Sequence, residues 1–218
     1  PDHYVERTQN RMFTFKANTS LEILIAVTDK SSASPGIQSV PVFGNPLKIN
    51  TIRGIAVFIN SSVFTLIILV LAFSVWAFFK TRSRANVLFA GVCLCVLGYT
   101  CYPLLHTYLA LRVQPWFSLE MLFYYLTFPA MLLLEHEITG RKYKWVWWLV
   151  GFTAAAGIGA TVAGIFAGGM ETAALFYGVS AVTEVLKWFT AICLVVIAFF
   201  YTEGTRGLPL LAGTVLYA

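Results

Sequence analysis

Glu184 and Lys187 are the residues of this sequence whose chemistry most needs a reason. They stand three apart within an otherwise uncharged apolar run over about residues 173–201, so on a helix they share a face and can pair. A charge in a bilayer core costs about 2.5–3.5 kcal/mol on insertion scales, so such side chains turn to a bundle interior and take partners there. The functional reading is a polar pair that contacts a ligand or carries a signal. The plainer readings are a structural pair, or a lysine that snorkels to the interface. Other polar residues recur at helical spacing inside apolar runs: Tyr99, Tyr102 and His106; Glu120, Tyr124 and Thr127; Tyr177, Ser180 and Glu184; and Asn60 lies in the corresponding half of the first run. Polar groups in hydrocarbon find partners or face water, so these stripes are expected to turn inward and meet in one half of a bundle, with Lys187 deeper. The alternative is that each group satisfies itself separately at the interface. His106 reads in the same two ways, as a satisfied interfacial histidine or as a pH sensor.

Other chemistries are excluded or weak. Glu135-His136-Glu137 suggests a metal site only at first sight. Adjacent residues do not converge on one helical face and no second histidine lies near in sequence, so a solvated helix end is expected. Cys93, Cys95, Cys101 and Cys193 all fall in apolar runs and read as small buried hydrophobes, not as a disulfide framework. The sequence has no phosphate-binding glycine loop, nucleophile elbow, paired metal motif or dinucleotide fingerprint. No catalytic residue, metal or cofactor is therefore expected in this stretch, and it is not expected to be an enzyme.

The elements that hold these residues are membrane helices. The chain is 58% hydrophobic and only 11% charged, too apolar for a soluble fold to hide. A helix rises about 1.5 Å per residue, so about 20 apolar residues cross a hydrocarbon core of about 30 Å. Residues 54–79 and 85–110 both exceed that, and the basic turn Lys80-Thr81-Arg82-Ser83-Arg84 joins them as an antiparallel pair. A short loop at 111–118 leads to a third span over about 119–134. Trp145, Trp147 and Trp148 open a fourth span that reaches about residue 169, and a fifth follows to about residue 201. Residue 208 onward opens a sixth. Pro103 and Pro129 are expected to kink their helices. Ala156, Ala160, Gly164 and Gly168, at intervals of four, form a small-residue stripe that lets another helix approach. Lys80, Arg82, Arg84, Arg141, Lys142, Lys144 and Arg206 fall in alternate links, against Arg112 alone in the others. The positive-inside rule makes the basic links cytoplasmic and the segment before residue 54 extracytoplasmic. The net charge of +5 is thereby explained by topology, and no nucleic-acid partner is expected.

Residues 1–50 differ from the rest. Residues 11–17 and 21–27 alternate with strand period, Phe13 and Phe15 on one face, then Leu21, Ile23, Ile25 and Val27. Two strands alone are marginal, so they read as the last strands of an extracytoplasmic β-domain. The chain begins at Pro1 without a start methionine and stops at Ala218 inside the sixth run, so it reads as a fragment. The expected fold class is mostly α: a polytopic transmembrane bundle over 51–218, preceded over 1–50 by the end of that β-domain and a linker.

This order of parts resembles the bacterial seven-transmembrane receptors with diverse intracellular signalling modules. The resemblance spans essentially the whole sequence. It rests on Leu21-Glu22-Ile23-Leu24-Ile25-Ala26-Val27-Thr28, similar to the closing strand of that family's jelly-roll sensory domain. Gly36 and the approach over 41–47 with Gly44 resemble the link to the first helix. The basic turn followed by Leu88-Phe89-Ala90-Gly91, and Leu119-Glu120 opening the third span, complete it. Asp29 stands where an asparagine is more usual. The resemblance implies a multi-pass receptor of the bacterial inner (plasma) membrane. It would sense an extracytoplasmic small molecule, of carbohydrate-like kind, and relay that binding to a cytoplasmic histidine kinase or diguanylate cyclase, as in two-component signalling. A homodimer is the expected assembly and the lipid bilayer the expected surroundings. The rival reading is a fragment of a transporter or channel, which would show related hydrophobic halves and broken helices near the midplane. No internal repeat is visible.

Overall fold

The computed structural model describes residues 7–8, 45–109, 111–140, 143–166 and 170–200. Five helices make up nearly all of them: α1 (Pro46–Thr81), α2 (Arg84–Tyr108), α3 (Val113–Thr139), α4 (Lys144–Phe166) and α5 (Met170–Phe200). All five are long and apolar enough to cross a membrane. Arg7–Thr8 and Leu111–Arg112 form a two-residue antiparallel pair, Arg7 opposite Arg112. The strands expected over 11–17 and 21–27, and the sixth run from 208, lie outside the described residues.

Local chemistry explains the helix ends. The Asn45 side chain accepts the Leu47 N–H at 2.9 Å and Pro46 occupies the first helical position, a favoured start for α1. At the other end Arg82 turns into the left-handed region (φ 54°) and donates its N–H to the Phe78 carbonyl at 2.7 Å. Its guanidinium lies over the Phe78 and Phe79 rings, at 5.7 and 5.9 Å. Ser83 is extended and α2 begins at Arg84, so the basic turn is only two residues long. Gly140, at φ 65°, ends α3. Helix α1 is 36 residues long, about 54 Å, and so exceeds a hydrocarbon core of about 30 Å.

Two expectations change. The loop at 111–118 is mostly helix, because α3 starts at Val113 with Pro115 in its first turn, where a missing N–H is harmless. As expected of kink candidates, Pro103 and Pro129 stand inside continuous helices, α2 and α3. Glu135 and His136 are not a solvated helix end. They are 3% and 8% exposed, because α3 continues to Thr139 and the start of α4 is held against it, the His136 ring accepting the Tyr143 N–H; Glu137 is exposed.

Helix α3 is the centre. It packs against α2, α4 and α5; α4 packs on α5, and α1 lies at the edge against α2. Leu132, Val146, Leu149 and Leu194 form the core between α3, α4 and α5. Outward faces carry Phe58, Leu69, Trp76, Trp148, Phe152, Val185 and Phe199, each more than half exposed. Water would not tolerate so continuous an apolar surface, whereas lipid solvates it. The protein is a multi-pass membrane protein. Lys80, Arg82, Arg84 and Lys144 gather at one end of the bundle, termed here the basic end.

Candidate functional site

The polar residues of α5 repeat every three or four positions: Ser180, Thr183, Glu184, Lys187 and Thr190. Each meets a different neighbour. The Thr183 hydroxyl donates to its own helix at Val179 O and lies 3.2 Å from the Ala156 carbonyl of α4. Thr190 shares a hydrogen bond of 3.2 Å with Thr153 of α4, both hydroxyls fully buried. Lys187 turns the other way, towards α3. Two hydroxyl contacts to α4 and one ammonium contact to α3 therefore tie α5 to both of its partners.

Lys187 is the centre of the site. Its side chain is 9% exposed and its ammonium pairs with the Glu184 carboxylate one turn away. It also donates to the Tyr124 hydroxyl at 2.6 Å, crossing from α5 to α3. Two of its three N–H donors are thus used on neighbours of opposite character, one charged and one neutral. The ammonium lies 4.9 Å from the Tyr124 ring centroid, 5.1 Å from Trp188 and 5.9 Å from Phe128, so aromatic quadrupoles complete its shell. Tyr124 is in turn 5.3 Å from the Tyr99 ring of α2 and edge-on to Phe128 at 5.8 Å. Lys187, Tyr124 and Tyr99 all fall well inside their helices, so one chain of contacts joins three helices away from either end.

The Glu184 side chain is 41% exposed, so the acid side of the pair is open where the lysine side is closed. Tyr125, 4% exposed, lies within range of the Glu184 charge, and Glu120 within range of Tyr99. The Ser180 hydroxyl oxygen, one turn from Glu184, is buried without a hydrogen-bond partner. Glu184, Lys187, Tyr124, Tyr99 and Glu120 are therefore brought together from three helices, with Ser180 beside them on α5. Tyr102 is buried on α2. Thr127 is buried but bonds to its own helix at Phe123 O. Tyr177 is 55% exposed and stacks on Phe176 of its own helix. Asn60 is exposed on α1, a helix that packs chiefly on α2. The His106 side chain lies outside the described residues.

Three participants are absent from the stripes read in the sequence. Tyr125 adjoins Tyr124, and Thr183 and Thr190 flank Lys187 at the spacing of one helix turn. That periodicity around Lys187 is the signal that finds the threonines. Small residues make the contacts close. A Cβ added to Gly157 would lie 2.8 Å from the Tyr125 Cβ, and one added to Gly98 would run into the Phe123 ring. Chemically, the arrangement holds a buried cation against a second helix through one bond, to Tyr124, that a small relative movement would lengthen. Among the described residues no group of histidine, cysteine, aspartate or glutamate is placed to hold a metal ion. No protein-family model, curated protein or solved structure matches this chain.

Proposed function

We propose that this chain is the membrane region of a signalling receptor. In this reading the basic end is cytoplasmic, the segment before Pro46 belongs to an extracytoplasmic ligand-binding domain, and the membrane is the bacterial inner membrane. The bundle relays ligand binding to a cytoplasmic histidine kinase or diguanylate cyclase outside this sequence, and catalysis belongs to that module. The resemblance read in the sequence motivates the family. The observation that carries the mechanism is the Lys187 ammonium held between Glu184 of α5 and Tyr124 of α3.

A relay needs two packings of similar energy and a ligand that prefers one of them. Lys187 supplies a discrete contact that is either made or broken. If α3 slides on α5, the ammonium keeps Glu184, which rides on its own helix, and loses Tyr124. The cost is one interhelical hydrogen bond, about 0.6–1.7 kcal/mol in membranes, within reach of a ligand's differential affinity. Tyr99, stacked on Tyr124, passes the movement to α2, and α1 packs on α2. The test is Tyr124→Phe in the full-length protein, with output measured over the stimulus range at equal expression. A shifted dose response is expected; a wild-type response would remove the contact from the relay.

The open Glu184 carboxylate inside a span favours one other reading, a transporter that moves an ion past the pair. Purified protein in liposomes loaded with a pH-sensitive dye separates the two. Flux abolished by Glu184→Gln would favour transport, and an absence of flux the receptor.

A further inference from the structure

The buried histidine at the basic end takes no part in the relay. We propose that the contact between His136, in the last turn of α3, and Tyr143, just before α4, is a proton-operated joint with His136 as its sensing group. The His136 Nε2 accepts the Tyr143 backbone N–H at 3.0 Å, so the ring is neutral and carries its proton on Nδ1. Tyr143 is the residue immediately before α4, and its carbonyl accepts the Val146 N–H at 3.3 Å. The imidazole therefore fastens the start of α4 to the last turn of α3. Its setting is built. The Thr139 hydroxyl donates to the His136 carbonyl at 3.1 Å, Trp147 of α4 stands edge-on to the ring at 6.2 Å, and Gly140 makes the reversal between them.

Histidine is the side chain that ordinarily changes charge between about pH 5 and 8. A proton taken up at Nε2 turns the acceptor into a donor. Two N–H groups then face each other, the bond to Tyr143 is lost, and the new positive charge sits beside the positive end of the α4 dipole. The ionisable groups on the surrounding elements are of both signs. Glu135, itself buried, and Glu137 on α3 favour the cation. Lys144 at the start of α4 opposes it, and Arg84 at the start of α2 is the other described base at this end of the neighbouring helices. Tyr143, just before α4, is also ionisable, and on the α5 segment beyond Lys187 the one ionisable residue described is Cys193. The lost backbone bond gives the protonated state a different α4 start. Acidification at the basic end would thus loosen α4 from α3 without touching Lys187.

Hydrogen exchange at the Tyr143 amide and histidine ring 15N shifts, both in nanodisc-embedded protein taken from about pH 8 to about pH 5, test the joint. In the wild type, Tyr143 protection should fall about ten-fold beyond the intrinsic pH effect, as loss of one hydrogen bond predicts, with the midpoint at which the His136 ring takes up its proton. His136→Gln retains an acceptor for the amide but no titration, and its protection should not change with pH. A wild-type ring that titrates while Tyr143 protection stays constant overturns the proposal, whether or not the variant folds. So does the same pH dependence in H136Q.

Discussion

At the scale of the residue, the lysine and its two acceptors are unequal partners. Tyr124→Phe removes one neutral acceptor and leaves the ion pair, so a stability loss of about 1 kcal/mol is expected in thermal unfolding. Lys187→Met removes the cation and leaves Glu184 as an uncompensated carboxylate within a span. Breaking one side of a buried pair is costly, but Glu184 is 41% exposed, so the loss should fall at the lower end, about 3 kcal/mol. The double variant Lys187→Met with Glu184→Gln should recover part of that loss, because no lone charge remains. A double variant no more stable than Lys187→Met alone would mean that the two residues are not energetically coupled. The pair was legible in the sequence because opposite charges one turn apart in an apolar run lower each other's cost in hydrocarbon by meeting. Tyr124 as the third member was legible as a polar residue on a stripe, but no spacing rule says which stripe meets which.

At the scale of the element, side chains too small to protrude decide the close approaches. The sequence pattern picks Ala156, Ala160, Gly164 and Gly168, of which Gly168 lies outside the described residues. In the structure the buried positions of α4 include Gly157, Ala160 and Gly164, while Ala156 lends its carbonyl to Thr183. A strict interval of four drifts around a helix of 3.6 residues per turn, which is why the face passes from Gly157 to Ala160 to Gly164. A Cβ on Gly164 would stand 3.1 Å from the Phe176 ring of α5 and 3.3 Å from the Ser118 hydroxyl oxygen of α3. Gly164→Leu should therefore cut folded yield sharply, and Ile165→Leu, on an exposed position, should leave it near wild type. Equal tolerance of both would remove the glycine from the packing. Gly157→Ala is the finer probe. Its neighbour is the Tyr125 Cβ, which moves only with the α3 backbone, so even one methyl should lower the unfolding temperature. The wrongly expected loop at 111–118 has a related origin. Arg112, Gln114, Pro115 and Ser118 are polar or breaking residues, but Pro115 falls in a first turn where it breaks nothing.

At the scale of the whole molecule, hydropathy made the five spans legible, since each must satisfy its backbone internally and present an apolar surface. Their neighbours were not legible. Chain order suggests a row, whereas α3 packs on three helices and α1 chiefly on α2, because contact depends on matching small and large side chains across faces. Nor could sequence spacing show that Asn60 is exposed on an edge helix that packs chiefly on α2. Orientation is a separate matter, since a bundle has the same internal contacts either way up. The proposed direction rests on where the cations gather: Lys80, Arg82, Arg84 and Lys144 at one end, with Lys48 and Arg53 beyond the opposite end of the first span on a helix too long for the bilayer. Cations next to short links resist translocation, whereas those flanking a translocated domain do not bind the chain to the cytoplasm. Single cysteines at Lys48, exposed in the first turn of α1, and at Ser83, in the basic turn, report the two ends. The background should have Cys93, Cys95, Cys101 and Cys193 replaced by alanine or serine. In intact cells an impermeant maleimide should label Lys48→Cys at once and Ser83→Cys only after the membrane is opened. The reverse order would invert the bundle. The extracytoplasmic domain, the cytoplasmic relay and the side from which protons reach His136 would then all have to be exchanged.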